Sequence, residues 1–224
     1  MEMFNVAIDG PAGAGKSTIA KRVAKETGFI YVDTGSMYRA MALSCLRAGI
    51  DRTDEEKVTA QCRELEIALD YVNGEQQVLL NGENVNPYIR TEEVGNTTSA
   101  IAVYQGVREK LLELQRQLGR EHNVVMDGRD IGTNVLKDAQ LKIYLTASSA
   151  TRAKRRYDEL AAKGISGSLS EIERDIIERD ERDMNRTIAP LKQAEDAVYL
   201  DSSDMTIEEV TEKIKALMVE AGWK

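Results

Sequence analysis

Short apolar runs alternate with amphipathic stretches along the chain. Phe4-Asn5-Val6-Ala7-Ile8 is the first run and ends in Asp9-Gly10-Pro11. From Lys16 onward Ile19, Ala20, Val23 and Ala24 recur on one helical face, and Gly28 is placed to stop that helix. Further buried-strand candidates are Phe29-Ile30-Tyr31-Val32, Val124-Val125-Met126, Leu141-Lys142-Ile143-Tyr144-Leu145 and Ala197-Val198-Tyr199-Leu200, with a last helix from about Thr206 to Ala221. Apolar strands separated by amphipathic helices predict an α/β fold with a parallel sheet covered on both faces.

One stretch departs from this rhythm. Ile67, Leu69 and Tyr71 alternate with Ala68 and Asp70, then Asn73-Gly74, Val78-Leu79-Leu80, Asn81-Gly82 and Val85 follow. Asn-Gly between alternating runs is a strong hairpin signal, because both central turn positions need positive φ. Two in succession predict a small antiparallel meander inserted at about residues 63–104, between core segments 1–62 and 105–224. The next helix keeps Val107, Leu111, Leu114 and Leu118 on one face. Near the end, Gly164, Gly167 and three serines interrupt two very polar helices, a candidate hinge or an ordinary exposed loop.

Composition narrows the function classes. The 224 residues suit one sizeable domain with a smaller insert, and 42% apolar with 30% charged residues is ordinary for a soluble protein. A formal charge of −8 argues against a general nucleic-acid binder, although a local basic pocket remains compatible with it. Cys45 and Cys62 are too few for a disulfide scaffold or a four-thiolate zinc site and fit core packing. The N-terminal residues carry no leader pattern, and no apolar run approaches the ~20 residues of a membrane span. The expectation is a cytoplasmic protein that engages neither membrane nor nucleic acid.

The chemistry begins at Gly10-Pro11-Ala12-Gly13-Ala14-Gly15-Lys16-Ser17, which fits G-x-x-x-x-G-K-[ST] between a predicted strand and a predicted helix. Glycines let the backbone curl its N–H groups toward an anion, and the helix N-terminus adds partial positive charge. Lys16 is placed to reach β- and γ-phosphates and the Ser17 hydroxyl to ligate Mg²⁺. The motif therefore predicts a nucleoside triphosphate ligand. An Asn-Lys-x-Asp guanine-reading segment is missing, as is a long apolar strand ending in Asp-Glu, so a kinase acting on a separate acceptor is favoured over a switch or a motor. His122, the one histidine, lies beside a strand start and fits a solvated or capping role rather than a general base.

A phosphate acceptor is mostly dianionic at neutral pH and needs cations rather than a base. Arg179, Arg182, Asp183 and Arg186 fall at i, i+3, i+4 and i+7, so they share one face if the helix runs that far. A solvated helix laced by Asp175–Arg179 and Glu178–Arg182 pairs explains the same spacing. Arg152, Arg155 and Arg156 form a second basic cluster before the Gly-Ser break. Arginines on both sides of a hinge suggest a lid over about residues 150–186 that closes on phosphates and excludes water. A P-loop kinase for another acceptor, either a different nucleoside monophosphate or a small alcohol with Asp33 or Asp130 as base, and a non-catalytic nucleotide switch are the competing readings.

The chain resembles bacterial cytidylate kinases nearly end to end. The resemblance rests on Ile8-Asp9-Gly10-Pro11-Ala12-Gly13-Ala14-Gly15-Lys16-Ser17-Thr18, Asp33-Thr34-Gly35-Ser36-Met37-Tyr38-Arg39, Asp127-Gly128-Arg129-Asp130-Ile131-Gly132-Thr133 and Arg179-Asp180-Glu181-Arg182-Asp183-Met184-Asn185-Arg186. It implies a P-loop three-layer α/β fold whose insert enlarges the nucleoside-monophosphate domain. It also implies transfer of the γ-phosphate of ATP, with Mg²⁺, to CMP or dCMP by a monomer acting on small nucleotides. Gly10 to Thr18, with Arg155 and Arg156 from the lid, would bind ATP. Arg39, Arg129 and Arg186 would hold the acceptor phosphate, Arg179 and Asp183 the ribose hydroxyls, and Thr34, Ser99, Arg108 and Asp130 the cytosine edge. Lys16, Arg129, Arg179 and Arg186 would serve catalysis. Some family members carry Ser at the position of Thr34; the hydroxyl is common to both.

Overall fold

The computed structural model describes residues 3–162 and 164–224. Residues 1, 2 and 163, which fall in the expected core and lid segments, lie outside the described residues. Five parallel strands form the main sheet: β1 (Asn5–Asp9), β2 (Ile30–Asp33), β6 (Val124–Gly128), β7 (Leu141–Thr146) and β8 (Val198–Asp201), in the order β2-β6-β1-β7-β8. Central β1 pairs with both β6 and β7, bringing Asp9 beside Gly128 on one side and Tyr144 on the other. The C-terminal strand ends therefore converge, and in such sheets that edge carries the ligand site.

Side chains of β1 alternate between two cores, as the pleat requires. Val6 and Ile8 pack with Ile19 and Val23 of α1 (Lys16–Thr27) and with Ile214 and Met218 of α8 (Ile207–Glu220). Ala7 faces the opposite layer with Val32, Met126, Ile131 and Val135. The sheet is thus apolar on both faces, which is why its strands read as continuous apolar runs. The α8 helix opens on a capping box, with Thr206 accepting from Glu209 N while the Glu209 side chain takes the Thr206 N–H.

The insert has its own three-stranded sheet, β3 (Ile67–Val72), β4 (Glu75–Leu80) and β5 (Glu83–Asn84), all antiparallel. Asn73 (φ 53°) with Gly74 (φ 78°), and Asn81 (φ 50°) with Gly82 (φ 81°), make both turns, each two residues long. A third core joins this sheet to α2 (Thr34–Arg47), α3 (Glu55–Glu64), α4 (Glu92–Ile101) and α5 (Gln105–Glu121) through Met41, Val58, Val78, Ile89, Ile101 and Leu111. Cys45 and Cys62 are buried here as free thiols. His122 is exposed and follows the last turn of α5, where its N–H caps Leu118 O.

Two polar helices, α6 (Ser149–Ala162) and α7 (Leu169–Asn185), flank the Gly-Ser break and pack on each other. Here one expectation is corrected. The α7 helix ends at Asn185, and Arg186 adopts extended backbone (φ −66°, ψ 142°), so the four-position face does not extend to Arg186. Arg182 points to solvent with its Nε on Glu178 O, 3.3 Å away. After β6 the chain makes a π-helical turn, Ile131–Val135, which no sequence pattern announced.

Candidate active site

The loop between β1 and α1 is shaped by its glycines. A side chain on Gly10 (φ 151°) would place Cβ 1.9 Å from Leu145 O, so the loop passes directly over β7. Gly15 (φ 85°) stands at the N-cap of α1, no side chain caps that helix, and its first turn has no acidic residue. Its N-terminal N–H groups and dipole are therefore available to an anion. Lys16 is buried and donates to Pro11 O at 2.8 Å, curling over the loop. Burial, reinforced by nearby Arg129, pushes its ammonium down to about 7.

Beyond Lys16 the strand ends supply oxygens. The Ser17 hydroxyl donates to Asp127 Oδ2 (2.9 Å), and Tyr31 OH donates to Asp127 Oδ1 (2.9 Å). Burial, with Asp33 adding its negative charge, pushes the Asp127 carboxyl up to about 6. Asp9, at the end of β1, accepts from Ile131 N and Gly132 N, both 2.8 Å, and so fixes the loop that follows Arg129 and Asp130. Burial pushes Asp9 up to about 6 despite those two donors. A hydroxyl and a carboxylate side by side are the hard oxygens Mg²⁺ prefers, and Mg²⁺ takes most of its other ligands from water and phosphate. Among the described residues no group of three or more His, Cys, Asp or Glu could hold a metal ion. Sequence reasoning assigned Ser17 and missed Asp127, although its place at the end of the strand beside β1 was a usable signal.

Facing this cradle is a cluster of arginines. Arg129 Nε donates to Asp183 Oδ2 (2.8 Å), and Arg186 lies 3.9 Å from Asp183 Oδ1 and 3.7 Å from Asp130 Oδ1. Arg186 reaches the cluster because the chain turns at the end of α7, with its Nε on Ala189 O (2.7 Å). Arg39 enters from α2, where burial holds its guanidinium below the usual arginine range. Arg179 is pushed down to about 10 by burial and then by neighbouring Arg129. Three buried side-chain polar atoms among the described residues lack a hydrogen-bond partner: Asn5 Oδ1, Arg179 Nε and Arg186 Nη2. Two of the three are guanidinium donors in this cluster. Buried donors are ordinarily satisfied, and these two have hydrogen-bonding capacity that an anion could take up, although Arg186 Nη2 lies 3.7 Å from Asp130 Oδ1.

The remaining candidates divide. Arg108, buried on α5, pairs with Asp130 and lies over the Tyr38 ring, and Asn134 Nδ2 also donates to Asp130 Oδ2 (3.2 Å). Thr34 donates to Asp127 O (2.8 Å) beneath Gly128. Ser99 turns its hydroxyl back to Gly95 O (3.2 Å) within α4. Arg155 donates to Ser202 O (2.7 Å), and its Nη1 is 4.0 Å from where a Cβ on Gly15 would sit, so it borders the cradle. Arg156 is exposed and pairs with Glu159 (2.8 Å), away from the cradle. Arg152 does what spacing did not suggest. It is buried, donates to Ala147 O (2.8 Å) and Ala12 O (2.9 Å), and pairs with Asp180.

Comparison with known proteins gives the family. The family model "Cytidylate kinase" matches residues 6–220. A cytidylate kinase of Desulfitobacterium hafniense is 50% identical over 98% of this chain and 96% of its own length. One of Citrifermentans bemidjiense is 50% identical over 96% of this chain and 92% of its own length. An uncharacterized protein from Eubacterium ventriosum has the same fold, with a TM-score of 0.54 at 11% identity, over 97% of this chain and 99% of that one. With a phosphate cradle, an opposed arginine cluster and a match of this extent, the chain belongs to the cytidylate kinase family.

Proposed function

We propose that the protein transfers the γ-phosphate of ATP to CMP or dCMP, giving ADP and CDP or dCDP. The observation that supports this reading best is a glycine loop with Lys16 and Ser17 beside Asp127, together with an arginine cluster in which two buried donors lack a hydrogen bond. The arginines already meet Asp183 and Asp130, and a dianionic acceptor adds a charge that a neutral alcohol would not.

The Gly10–Thr18 loop binds the polyphosphate through backbone N–H groups, and Arg155 of α6 closes on it from the lid. Arg156, exposed in this structure, joins only when the lid (about residues 150–186) shuts. Ser17 and Asp127 would hold Mg²⁺, which when bound would neutralise phosphate charge. Arg39, Arg129 and Arg186 hold the acceptor phosphate, whose oxygen needs no base. Arg179 and Asp183 take the ribose hydroxyls. Cytosine presents an amino donor beside acceptor atoms, and Asp130 with Arg108 offers the complementary acceptor and donors, flanked by Thr34 and Ser99. Lys16, Arg129, Arg179 and Arg186 absorb charge as the phosphoryl group moves, without a covalent intermediate. The insert of residues 63–104 closes the acceptor side, and the enzyme works as a cytoplasmic monomer. No helix among the described residues is long and apolar enough to cross a membrane.

Phosphorus NMR of a mixture of enzyme, ATP, Mg²⁺ and CMP tests the reading. CDP and ADP should accumulate in equal amounts, with no phosphate release when CMP is omitted. Phosphate release independent of CMP would contradict it.

A further inference from the structure

The insert meets the core around one residue, Asp33. This carboxylate caps α2, accepting from Ser36 N (3.0 Å) and from the Ser36 hydroxyl. Its backbone is clasped by Gln76 of β4, which accepts from Asp33 N (2.9 Å) and donates to Asp33 O (3.4 Å). Tyr71 of β3 donates to Tyr31 O two residues earlier, at 3.1 Å. Arg90, also from the insert, places Nη2 3.1 Å from Asp33 Oδ2.

Arg90 differs from the arginines around it. Its side chain is 61% exposed, against 21% for Arg129 and 7% for Arg186. Its backbone is nevertheless fixed. Ile89 is buried in the insert core, and Thr91 accepts from Val94 N to cap α4. The result is an anchored stem whose solvent-exposed guanidinium head rests on Asp33. Arg90 and Arg129 are both close enough to Arg39 to act on its charge, so Arg90 belongs to the same cationic cluster.

Asp33 has partners besides Arg90. The charge of Arg39 and two donors from Ser36, with Arg90 adding to them, hold its carboxyl below the usual range against burial. The pair is open to water on its arginine side, which screens it and lets Arg90 leave. A phosphate monoester offers up to twice the charge and three strong acceptor oxygens. Moving Arg90 from one to the other leaves no buried charge bare.

We propose that Arg90 is a further acceptor-phosphate residue carried by the insert. It exchanges Asp33 for the phosphate of the bound monophosphate, and so links occupancy of the acceptor site to the position of the insert. This rests on the reading that the acceptor is a nucleoside monophosphate.

The test compares a ligand with and without its phosphate. Calorimetric affinities for CMP, and competition constants for cytidine, are measured on the wild type, Arg90→Ala and Arg90→Lys, alongside steady-state turnover. Arg90→Ala should weaken CMP binding by about tenfold or more while changing cytidine binding by less than about twofold, as for loss of a charged hydrogen bond to phosphate alone. The KM for CMP should rise, the KM for ATP should stay, and Arg90→Lys should recover part of the loss. Equal losses for CMP and cytidine would make Arg90 a strut of the insert, and unchanged CMP binding would leave it on Asp33; either result overturns the proposal. If the wild type turned over another monophosphate instead, the base assignment alone would fall, and the same comparison with that monophosphate and its nucleoside would decide Arg90. A wild type that bound no monophosphate would overturn both.

Discussion

Arg152 Nη1 stands 2.6 Å from Asp180 Oδ2, and the pair ties α6 and α7 to the glycine-rich loop after β1. Asp180 Oδ1 also accepts from Ala12 N (3.3 Å), while Arg152 donates to Ala12 O (2.9 Å), so one loop residue is held on both of its backbone groups. The side chains are 7% and 10% exposed, and removing one partner strands the other's charge. Asp180→Ala should therefore cost about 3–5 kcal/mol of stability, measured by urea unfolding. Exposed Asp175→Ala on the same helix should stay within about 0.5 kcal/mol. Equal effects would show that the pair contributes nothing beyond helix surface charge.

Asp9 makes stability depend on pH in an unusual sense. Its folded carboxyl titrates at about 6, above the 3.8 of a free aspartate, because burial outweighs its two backbone donors. Between about pH 4 and pH 6 the native state holds more protons than the unfolded one, so stability falls as pH rises through that window and then levels off. The group's share is up to about 3 kcal/mol. Asp9→Asn should remove that component in urea titrations at pH 4.5, 5.5 and 7. An unchanged slope in the variant would contradict the assignment.

Asp127→Asn tests the oxygen pair beside Ser17. Loss of the carboxylate should lower transfer by roughly 10–100-fold and raise the Mg²⁺ concentration needed for half-maximal rate. Nucleotide binding without Mg²⁺ should persist, because the glycine loop and Lys16 are untouched. An identical Mg²⁺ requirement in the two proteins would remove Asp127 from the ion's surroundings.

Arg129→Ala separates the two anion sites. Losing a charged hydrogen bond should cost kcat/KM for CMP roughly 10–150-fold and leave ATP affinity within about twofold. Comparable losses for both substrates would place Arg129 on the shared phosphoryl path rather than on the acceptor.

The parts of the fold readable in the sequence are those set by local rules. The glycine cradle, the two Asn-Gly turns and the apolar strands each follow from φ preferences or periodicity within a few residues. Strand ends differ from expectation by one or two residues: Phe4, Phe29 and Ala197 lie just outside β1, β2 and β8, and β6 runs on to Gly128. What spacing could not show is which charges meet. Arg152, Arg155 and Arg156 look equivalent along α6, yet one is buried against the loop, one borders it and one is in water. The i+7 spacing of Arg186 suggested a helical face, whereas a turn after Asn185 delivers it. Asp9, Asp127 and Asp180 take their roles from partners far away in sequence, brought close by parallel strand register and by the packing of α6 on α7.

The central claim is an acceptor site built for a cytidine monophosphate. The most direct measurement is ADP release with ATP and Mg²⁺, comparing kcat/KM for CMP, dCMP, UMP, AMP and GMP. Fast turnover confined to CMP and dCMP is the predicted result. A preference for AMP or GMP would contradict the base-reading residues, and no turnover with any monophosphate would contradict the acceptor site itself.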